Sequence, residues 1–296
     1  MSHHYSVTGD IAAPIPPTST TALLLVDNQL GFRDITAWGI GASNPEFEKN
    51  VTALIAAFRA ACAEKPEGQR PLIIHVQYRP VWTDHPLHIS KVGPFGANGE
   101  HVRAIDFLEF AAPRVLRPEG PKFIYTLDET PPPAPVDPKK DAVPRPLADE
   151  IIMTSHGHSV FINTPLESIL NKRGIKTLLI AGMATDLAVS TAVRTAQNLA
   201  LTGKWGGRGN MADAAASERW TDGTSVFVEA QEDAPEDERG EDGLAVEMGR
   251  IILIGDATRA FGKAGVDAET VHSVHVESLK DFAEVRSTAE VIGAFH

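Results

Sequence analysis

The chain has 296 residues, of which 43% are hydrophobic, and a formal net charge of −12 at pH 7. This apolar fraction is enough for a large core, and the length suits one α/β domain that carries insertions. The negative charge argues against a nucleic-acid partner, because such proteins need a basic face to meet phosphates. The single cysteine, Cys62, excludes an intramolecular disulfide and a thiolate metal cluster.

The ends of the chain carry no signal that we interpret as targeting. The first 17 residues are polar and contain prolines, without the apolar core of a signal peptide. No apolar run reaches membrane-spanning length. We therefore expect a cytoplasmic protein with no membrane partner.

Apolar runs alternate with helical patterns along the chain, which is typical of a parallel sheet covered by helices. The predicted strands, in chain order, are 22–26, 72–76, 151–153, 177–181, 251–254 and 283–286. The predicted helices are 47–64, one from a Thr164–Glu167 capping box to Gly174, 186–199, 267–282, and a last one capped by Ser287. We expect an α/β fold: a three-layer α/β/α, doubly wound, mainly parallel sheet of about six strands.

Two segments interrupt this rhythm. Residues 117–149 include seven prolines between positions 131 and 146, and residues 203–247 are rich in glycine and then in acidic residues. We interpret both as surface insertions in a single domain that spans residues 1–296. The alternative is that one of them covers the active site, as long loops in small domains often do. Trp205 and Trp220 favour some packing within the second insertion.

The chemistry of such a sheet is expected where its parallel strands end, because ligands bind there near the point where the strand order reverses. This rule selects Asp27, the residues after Val76, the segments 155–158 and 182–188, and Asp256. Asp27 follows an apolar strand, and apolar walls would raise the pKa of its carboxyl group. A raised pKa suits a general acid near neutral pH.

Four segments at these strand ends resemble the isochorismatase-like (cysteine hydrolase) superfamily. Residues 24–32 carry an apolar strand, an Asp-x-Gln sequence and a nearby Phe, and residues 159–166 resemble the family's Ser-Ala-Phe-x-x-Thr-x-Leu segment. Residues 179–187 resemble its Gly-Val-Ala-Thr-Asp-Ile turn, and residues 255–258 also fit. The resemblance covers about residues 20–295 apart from the insertions, and it implies an isochorismatase-like fold and a homo-oligomer.

The resemblance also implies a catalytic triad of Asp, Lys and Cys. The three positions are occupied here by Asp27, Ser155 and Ala188. Attack by a thiolate is excluded with alanine at position 188, because alanine offers no nucleophile. True isochorismatases also lack the Cys and use the family Asp as general acid towards an enol ether, although they keep the Lys. Either Ala188 is an engineered knockout or this branch lost the Cys; the absence of the Lys favours natural loss.

Further site residues follow from the same segments. We expect Gln29 and Phe32 to bind substrate, together with the turn formed by Met183, Ala184 and Thr185. The resemblance implies a non-proline cis peptide in this turn, and its backbone N–H groups could bind a developing oxyanion.

Two groups of histidines leave alternatives open. His156 and His158 are either solvent-facing loop residues or groups that transfer protons or replace the lost Lys charge. Asp84, His85 and His88 are similar to the metal site of nicotinamidases, but their spacing differs, so we interpret them as a polar loop. We therefore predict no metal and no cofactor.

These observations favour a hydrolase of a small organic metabolite that works without a cysteine and uses Asp27 as general acid or base. Isomerisation, dehydration or decarboxylation by the same carboxyl group is an alternative. Loss of two triad positions supports a rival hypothesis, a catalytically inactive homologue that binds a metabolite or a protein. A third alternative is an ordinary cysteine hydrolase whose nucleophile at position 188 was changed to Ala.

Overall fold

The computed structural model describes residues 14–15, 18–114, 149–207, 209 and 248–295. The strands are β1 (Thr21–Val26), β2 (Ile40–Ala42), β3 (Leu72–Tyr78), β4 (Val92–Gly93), β5 (Val102–Arg103), β6 (Glu150–Ser155), β7 (Thr177–Met183), β8 (Arg250–Arg259), β9 (Phe261–Gly262) and β10 (Glu284–Arg286). The helices are α1 (Ile35–Trp38), α2 (Phe47–Glu64), α3 (Leu166–Lys172), α4 (Ser190–Leu201), α5 (Ala268–Leu279) and α6 (Thr288–Gly293).

Six strands form one sheet in the order β10-β8-β7-β1-β3-β6, and every neighbouring pair is parallel. The chain moves outward from β1 through β3 to β6, and then crosses to β7 on the other side of β1. The strand order therefore reverses between β1 and β7. This arrangement confirms the predicted doubly wound α/β fold.

The sheet is buried on both faces, as the continuous apolar runs of its strands predict. Leu24, Ile74 and Ile180 face one core, which the helices α3 and α4 cover. Leu23 and Leu25 face the other core, which α2 and α6 cover. Burying a side chain of this size is worth about 1.5–3 kcal/mol, so these two cores supply most of the driving force for the fold.

The end of β7 approaches β1 more closely than a side chain would allow. Gly182 has φ +124°, and a Cβ at this position would lie 2.1 Å from the carbonyl oxygen of Val26. Only glycine fits this contact, and it brings the turn after β7 directly beside the end of β1. Both strand ends therefore open onto the same small space.

Two local predictions are wrong. Thr164 does not form the capping box with Glu167: its hydroxyl accepts the N–H of Leu166, the first residue of α3, at 3.2 Å and donates to the carbonyl of Val160. Asp256 lies within β8 rather than at its end, and its carboxylate accepts bonds from the N–H and the hydroxyl of Thr288 at the start of α6. Asp256 is therefore a helix-capping residue.

The two predicted insertions fall largely outside the described residues, and so does Trp220. Trp205 lies at the beginning of the second insertion, and it is buried with its indole N–H donating to the carbonyl of Ala196 at 2.9 Å. Within the described part of the chain, every helix is too short or too polar to cross a bilayer.

Candidate active site

A small pocket lies at the carboxyl edge of the sheet, where the strand order reverses between β1 and β7. Its volume is about 30 Å³, which is room for about two water molecules. The residues around it are Asp27, Phe32, Trp38, Tyr78, His85, His158, Ala184, Leu187, Ala188, Phe261 and Lys263. Leu187 and Lys263 are partly exposed, so the pocket meets solvent on their side.

Asp27 is the first residue after β1, and its backbone takes the left-handed conformation, with φ +49°. Such a φ is uncommon outside glycine but is tolerated by aspartate. The residue is only 5% exposed, and Oδ1 has no hydrogen-bond partner among the described residues. Burial raises the pKa of this carboxyl group well above its ordinary value, although a backbone bond from Tyr78 opposes the shift. Asp27 is therefore suited to hold a proton near neutral pH.

Ala184 and Ala188 form the wall opposite Asp27. The peptide bond between Met183 and Ala184 is cis, as the family resemblance implies. A single π turn, Thr185–Val189, follows and leads directly into α4. The carbonyl of Ala184 accepts the N–H groups of Leu187 and Val189 at 3.0 and 3.1 Å. The methyl group of Ala188 is thus held on the pocket wall.

Two histidines and a tyrosine face the pocket from the β3 side. The phenol ring of Tyr78 packs against His85 at 5.4 Å and against His158 at 5.7 Å between ring centroids. The Nδ1 atom of His85 accepts the N–H of Leu87 at 3.1 Å, so its proton is on Nε2. Burial, helped by the nearby His158, lowers the pKa of His85. His85 is therefore a neutral hydrogen-bond donor at physiological pH.

Three aromatic rings form the apolar side of the pocket. Phe32 stacks on Trp38 at 4.3 Å and on Phe261 at 5.8 Å. The indole N–H of Trp38 is satisfied by the carbonyl of Gly31 at 2.9 Å. These rings come from three separate segments, so together they give the pocket a rigid apolar wall.

A cation also reaches the pocket. Lys263 follows β9, and its ammonium forms an ion pair with Oδ2 of Asp186 in the turn after β7. The side chain of Asp186 is 8% exposed, whereas that of Lys263 is 46% exposed. Lys263 therefore lines the pocket at its rim, and Asp186 is the buried partner of the pair.

Of the predicted site residues, the structure brings Asp27, Phe32, His158, Ala184 and Ala188 to the pocket wall. Ser155 ends β6 at the same edge of the sheet. It lies outside the pocket lining, because its hydroxyl donates to the carbonyl of Gly157 at 2.7 Å.

The other predicted binding residues serve the surrounding backbone. The amide of Gln29 donates to the carbonyls of Tyr78 and Ile105 and accepts the N–H of Tyr78, all at 2.9–3.0 Å. Gln29 therefore fastens the end of β3 to the end of β1. His156 is exposed and bonds the carbonyl of Arg79 through Nδ1 at 2.8 Å.

Met183 and Thr185 support the turn from behind. Met183 is buried in the core under the sheet, and the hydroxyl of Thr185 bonds Nδ1 of His272 on α5 at 3.0 Å. Burial lowers the pKa of His272, which favours the neutral ring. Both residues position the turn without lining the pocket.

Several pocket residues were not selected from the sequence. These are Trp38, Phe261 and Lys263, while His85 was considered only as a metal ligand. The rule of strand ends had covered Tyr78, at the end of β3, and Leu187, within residues 182–188, without giving either a role. The described residues do not gather three His, Cys, Asp or Glu side chains into a metal site, and Nδ1 of His88 bonds the Ser90 hydroxyl.

Comparison with known proteins shows the family. The isochorismatase domain model matches residues 21–202, which is more than half of the chain, and the chain therefore belongs to the isochorismatase family. The described residues of this range include β1, β3, β6, β7 and α4, so the match includes both strand ends that form the pocket.

Curated relatives include ureidoacrylate amidohydrolase RutB of Klebsiella variicola. It is 26% identical over 199 residues, which are 62% of this chain and 72% of the relative. A RutB of Methylorubrum extorquens is 27% identical over 191 residues, which are 59% of this chain and 63% of the relative.

Solved structures agree on the fold. An isochorismatase-family protein from Chromobacterium violaceum ATCC 12472 has a TM-score of 0.56 and 19% identity, and covers 96% of this chain and 97% of its own. A cysteine hydrolase from Pseudomonas syringae pv. phaseolicola 1448A has a TM-score of 0.52 and 20% identity, with coverage of 95% and 94%. At this identity the likeness concerns the fold alone.

Proposed function

We propose that this isochorismatase-family protein is a hydrolase of a small organic molecule in which Asp27 supplies the acid–base chemistry. The observation that carries the proposal is a buried carboxyl group with an unsatisfied oxygen on the wall of a pocket. Such an arrangement costs stability, and groups of this kind cluster at functional sites. The similarity to amidohydrolases supports hydrolysis as the reaction class.

The chemistry starts from protonated Asp27. Because burial raises its pKa, the carboxyl group carries a proton that it can transfer to the leaving atom or to an unsaturated carbon of the substrate. A water molecule then adds to the activated carbon, and the Asp27 carboxylate takes back one of the protons of that water. The substrate gains one water in total, the enzyme returns to its starting state, and no covalent intermediate forms.

The turn after β7 would hold the substrate's oxygen. The first N–H groups of a helix have no partner within it, and the Thr185–Val189 turn begins on the pocket wall. Donors fixed in this way stabilise negative charge as it develops in the transition state. This role needs only the backbone, so it is compatible with alanine at position 188.

A second candidate is a homologue that binds a metabolite without turnover. It is favoured by the side chains at two family positions, since Ala188 has no reactive group and the Ser155 hydroxyl is bonded to Gly157. The two candidates differ in one respect: an enzyme needs the proton of Asp27, whereas a binding protein needs only the shape of the pocket.

Asp27→Asn tests this difference. A metabolite library is first screened for ligands by thermal shift, because a ligand of the native state raises its stability, and the hits are assayed for turnover. The variant should bind the substrate and lose on the order of 10²–10⁴ in kcat. Asp106→Asn, at an exposed ion pair with Arg103, is the matched control and should retain activity. Unchanged turnover in Asp27→Asn would contradict the proposal, and absence of turnover for every bound metabolite would favour the binding protein.

We also infer from the family that the chain forms a homo-oligomer. Light scattering coupled to size-exclusion chromatography measures its mass in solution directly. A mass equal to the 31.8 kDa of one chain would contradict this inference.

A further inference from the structure

The position of Lys263 is determined by a tight hairpin. The N–H of Lys263 donates to the carbonyl of Val266 at 3.0 Å, and the N–H of Val266 donates back at 2.9 Å. Between them, Ala264 and Gly265 both have positive φ, +51° and +83°. These are the features of a two-residue type I′ turn, the favoured connection of tight hairpins. The backbone of Lys263 is thus fixed at the rim of the pocket.

The ammonium group of Lys263 is fixed as well. Asp186 holds it through Oδ2, and Asp186 stands two residues after Ala184 in the turn that forms the pocket wall. A lysine ammonium has three donor hydrogens, and the bond to Asp186 uses one of them. The charge is therefore held beside the pocket and keeps donor capacity for an occupant.

Two further polar groups on the pocket wall, His85 and Asp27, bear on what the pocket can hold. Nε2 of His85 carries the ring proton, because Nδ1 accepts from the backbone. Burial raises the pKa of Asp27 well above its ordinary value, which favours the protonated carboxyl group and lessens its repulsion of an anion. The remaining wall is aromatic, with Phe32 and Phe261 stacked on each other. An occupant that matches this wall has acceptor oxygens at one end and a flat apolar body.

We propose that Lys263 is the specificity-determining residue of this site and binds the carboxylate of a small, flat, anionic substrate. The cation of the pocket then comes from the β9 hairpin, and not from the end of β6, where Ser155 stands. This inference rests on the proposed function, because it names the substrate class of the same pocket. The half-exposed position of Lys263 predicts a moderate contribution to affinity, since water screens the charge.

Crotonate and crotonamide are suitable probes, because they share a flat apolar body and differ in charge. Their binding to the full chain is measured by NMR titration. The wild-type protein should bind crotonate more tightly than crotonamide. Lys263→Met keeps the apolar length of the side chain. It should weaken the affinity for crotonate about fivefold and leave the affinity for crotonamide unchanged. Lys263→Arg should retain the preference for crotonate.

Lys280→Met is the matched control, because Lys280 is also half exposed and also paired, with Glu277 on the surface. It removes the same charge from the protein and should not change either affinity. The inference is overturned if wild-type protein shows no preference for crotonate, or if Lys263→Met and Lys280→Met behave alike. Asp27→Asn should keep the preference for crotonate over crotonamide. A failure of the proposed catalytic role of Asp27 would therefore appear in turnover, and a failure of the proposed role of Lys263 would appear in binding.

Discussion

Asp27 follows the end of β1 and Glu150 begins β6 in the same sheet, yet burial has opposite outcomes for the pKa values of their carboxyl groups. Glu150 begins β6 and accepts hydrogen bonds from Nε2 of His75 at 2.9 Å, from Arg59 at 2.6 and 3.1 Å, and from the N–H of Arg114 at 2.9 Å. Burial raises the pKa of Glu150, but these bonds outweigh it and lower the pKa to about 2. Asp27 has almost no hydrogen-bond partners of this kind, so burial is the dominant effect and raises its pKa.

The comparison separates a carboxyl group that supports the fold from one that is free for chemistry. Both are removed from water, which is costly for a charge. The partners of Glu150 compensate for that cost, whereas for Asp27 burial raises the pKa and so favours the uncharged, protonated form. A buried carboxyl with few partners on a pocket wall is therefore the better candidate for catalysis, and the residues around each group decide the difference.

Removing the charge of Glu150 should have the largest effect on stability. Glu150→Gln leaves Arg59 without its counter-charge in a largely buried cluster. We expect a loss of about 2 kcal/mol, near the lower end for charged hydrogen bonds because the group keeps some contact with water. Urea unfolding measures the loss. Glu46→Gln, at the exposed pair with Lys49, should leave the midpoint nearly unchanged, and equal effects of the two changes would contradict the role given to Glu150.

Asp27→Asn should have a smaller effect of opposite sign. The folded-state pKa of Asp27 is raised, so its contribution to stability is complete below its ordinary pKa of about 3.8 and is lost as pH rises through the folded value. Asparagine does not ionise. The variant should therefore match the wild type in acid and melt a few degrees higher at neutral and alkaline pH. A melting temperature that falls relative to the wild type as pH rises would show that Asp27 is charged and paired.

The loss of stability in acid should depend on Glu150 and on His75, which is bonded to it. The pKa of His75 is lowered, chiefly by burial, so the stability that its neutral ring contributes is present above pH 6.5 and decreases below it. The contribution of Glu150 is present above its ordinary pKa of 4.5 and decreases towards 2. Urea unfolding across the acid range should show both losses of stability. In Glu150→Gln the loss at the lower pH should be smaller, because glutamine does not titrate. An unchanged slope in the variant would remove Glu150 from this account.

Ala188→Cys extends the comparison to a thiol and should have the smallest effect. No lysine stands at position 155 to favour the thiolate, and burial raises a thiol pKa, as it does chiefly for Cys62, to about 11. We expect no efficient amidase activity from the variant, measured on simple amides and on any substrate found for the wild type. A fast hydrolase would show that Ala188 replaces the nucleophile of an ordinary cysteine hydrolase.

The fold could be predicted because its signal is local. Buried strands appear as continuous apolar runs, and α2 was predicted at 47–64, the bounds that it has in the structure. The ends of the later strands were less predictable. The sequence indicates that β8 ends at Ile254, but it runs to Arg259, because after an irregularity Gly182 pairs with Thr258. That extension depends on a neighbouring strand and not on apolar character.

The same reason explains what was missed at the site. Asp27, Ala184 and Ala188 follow apolar strands within family motifs, so local pattern located them. Lys263 reaches the pocket only because β8 is extended and the β9 hairpin follows it. Its placement is a product of tertiary pairing, as is that of Trp38. Ser155 illustrates the reverse case: its place at a strand end was predicted, but its hydroxyl bonds to Gly157 in its own loop.

The pairing of β1 has a consequence for how the chain folds. β1 lies at the centre of the sheet, and Thr21 pairs with Thr177 on β7. The loop between these two paired residues is long, and closing it makes folding slow. A large part of the chain must lose conformational entropy before the stabilising contacts between β1 and β7 can form. During synthesis β1 can pair with β3 long before β7 emerges from the ribosome, which leaves one edge of a fully apolar strand open. Such an edge attracts other chains, so we expect the nascent protein to aggregate more readily than the folded one and to benefit from chaperones until β7 is in place.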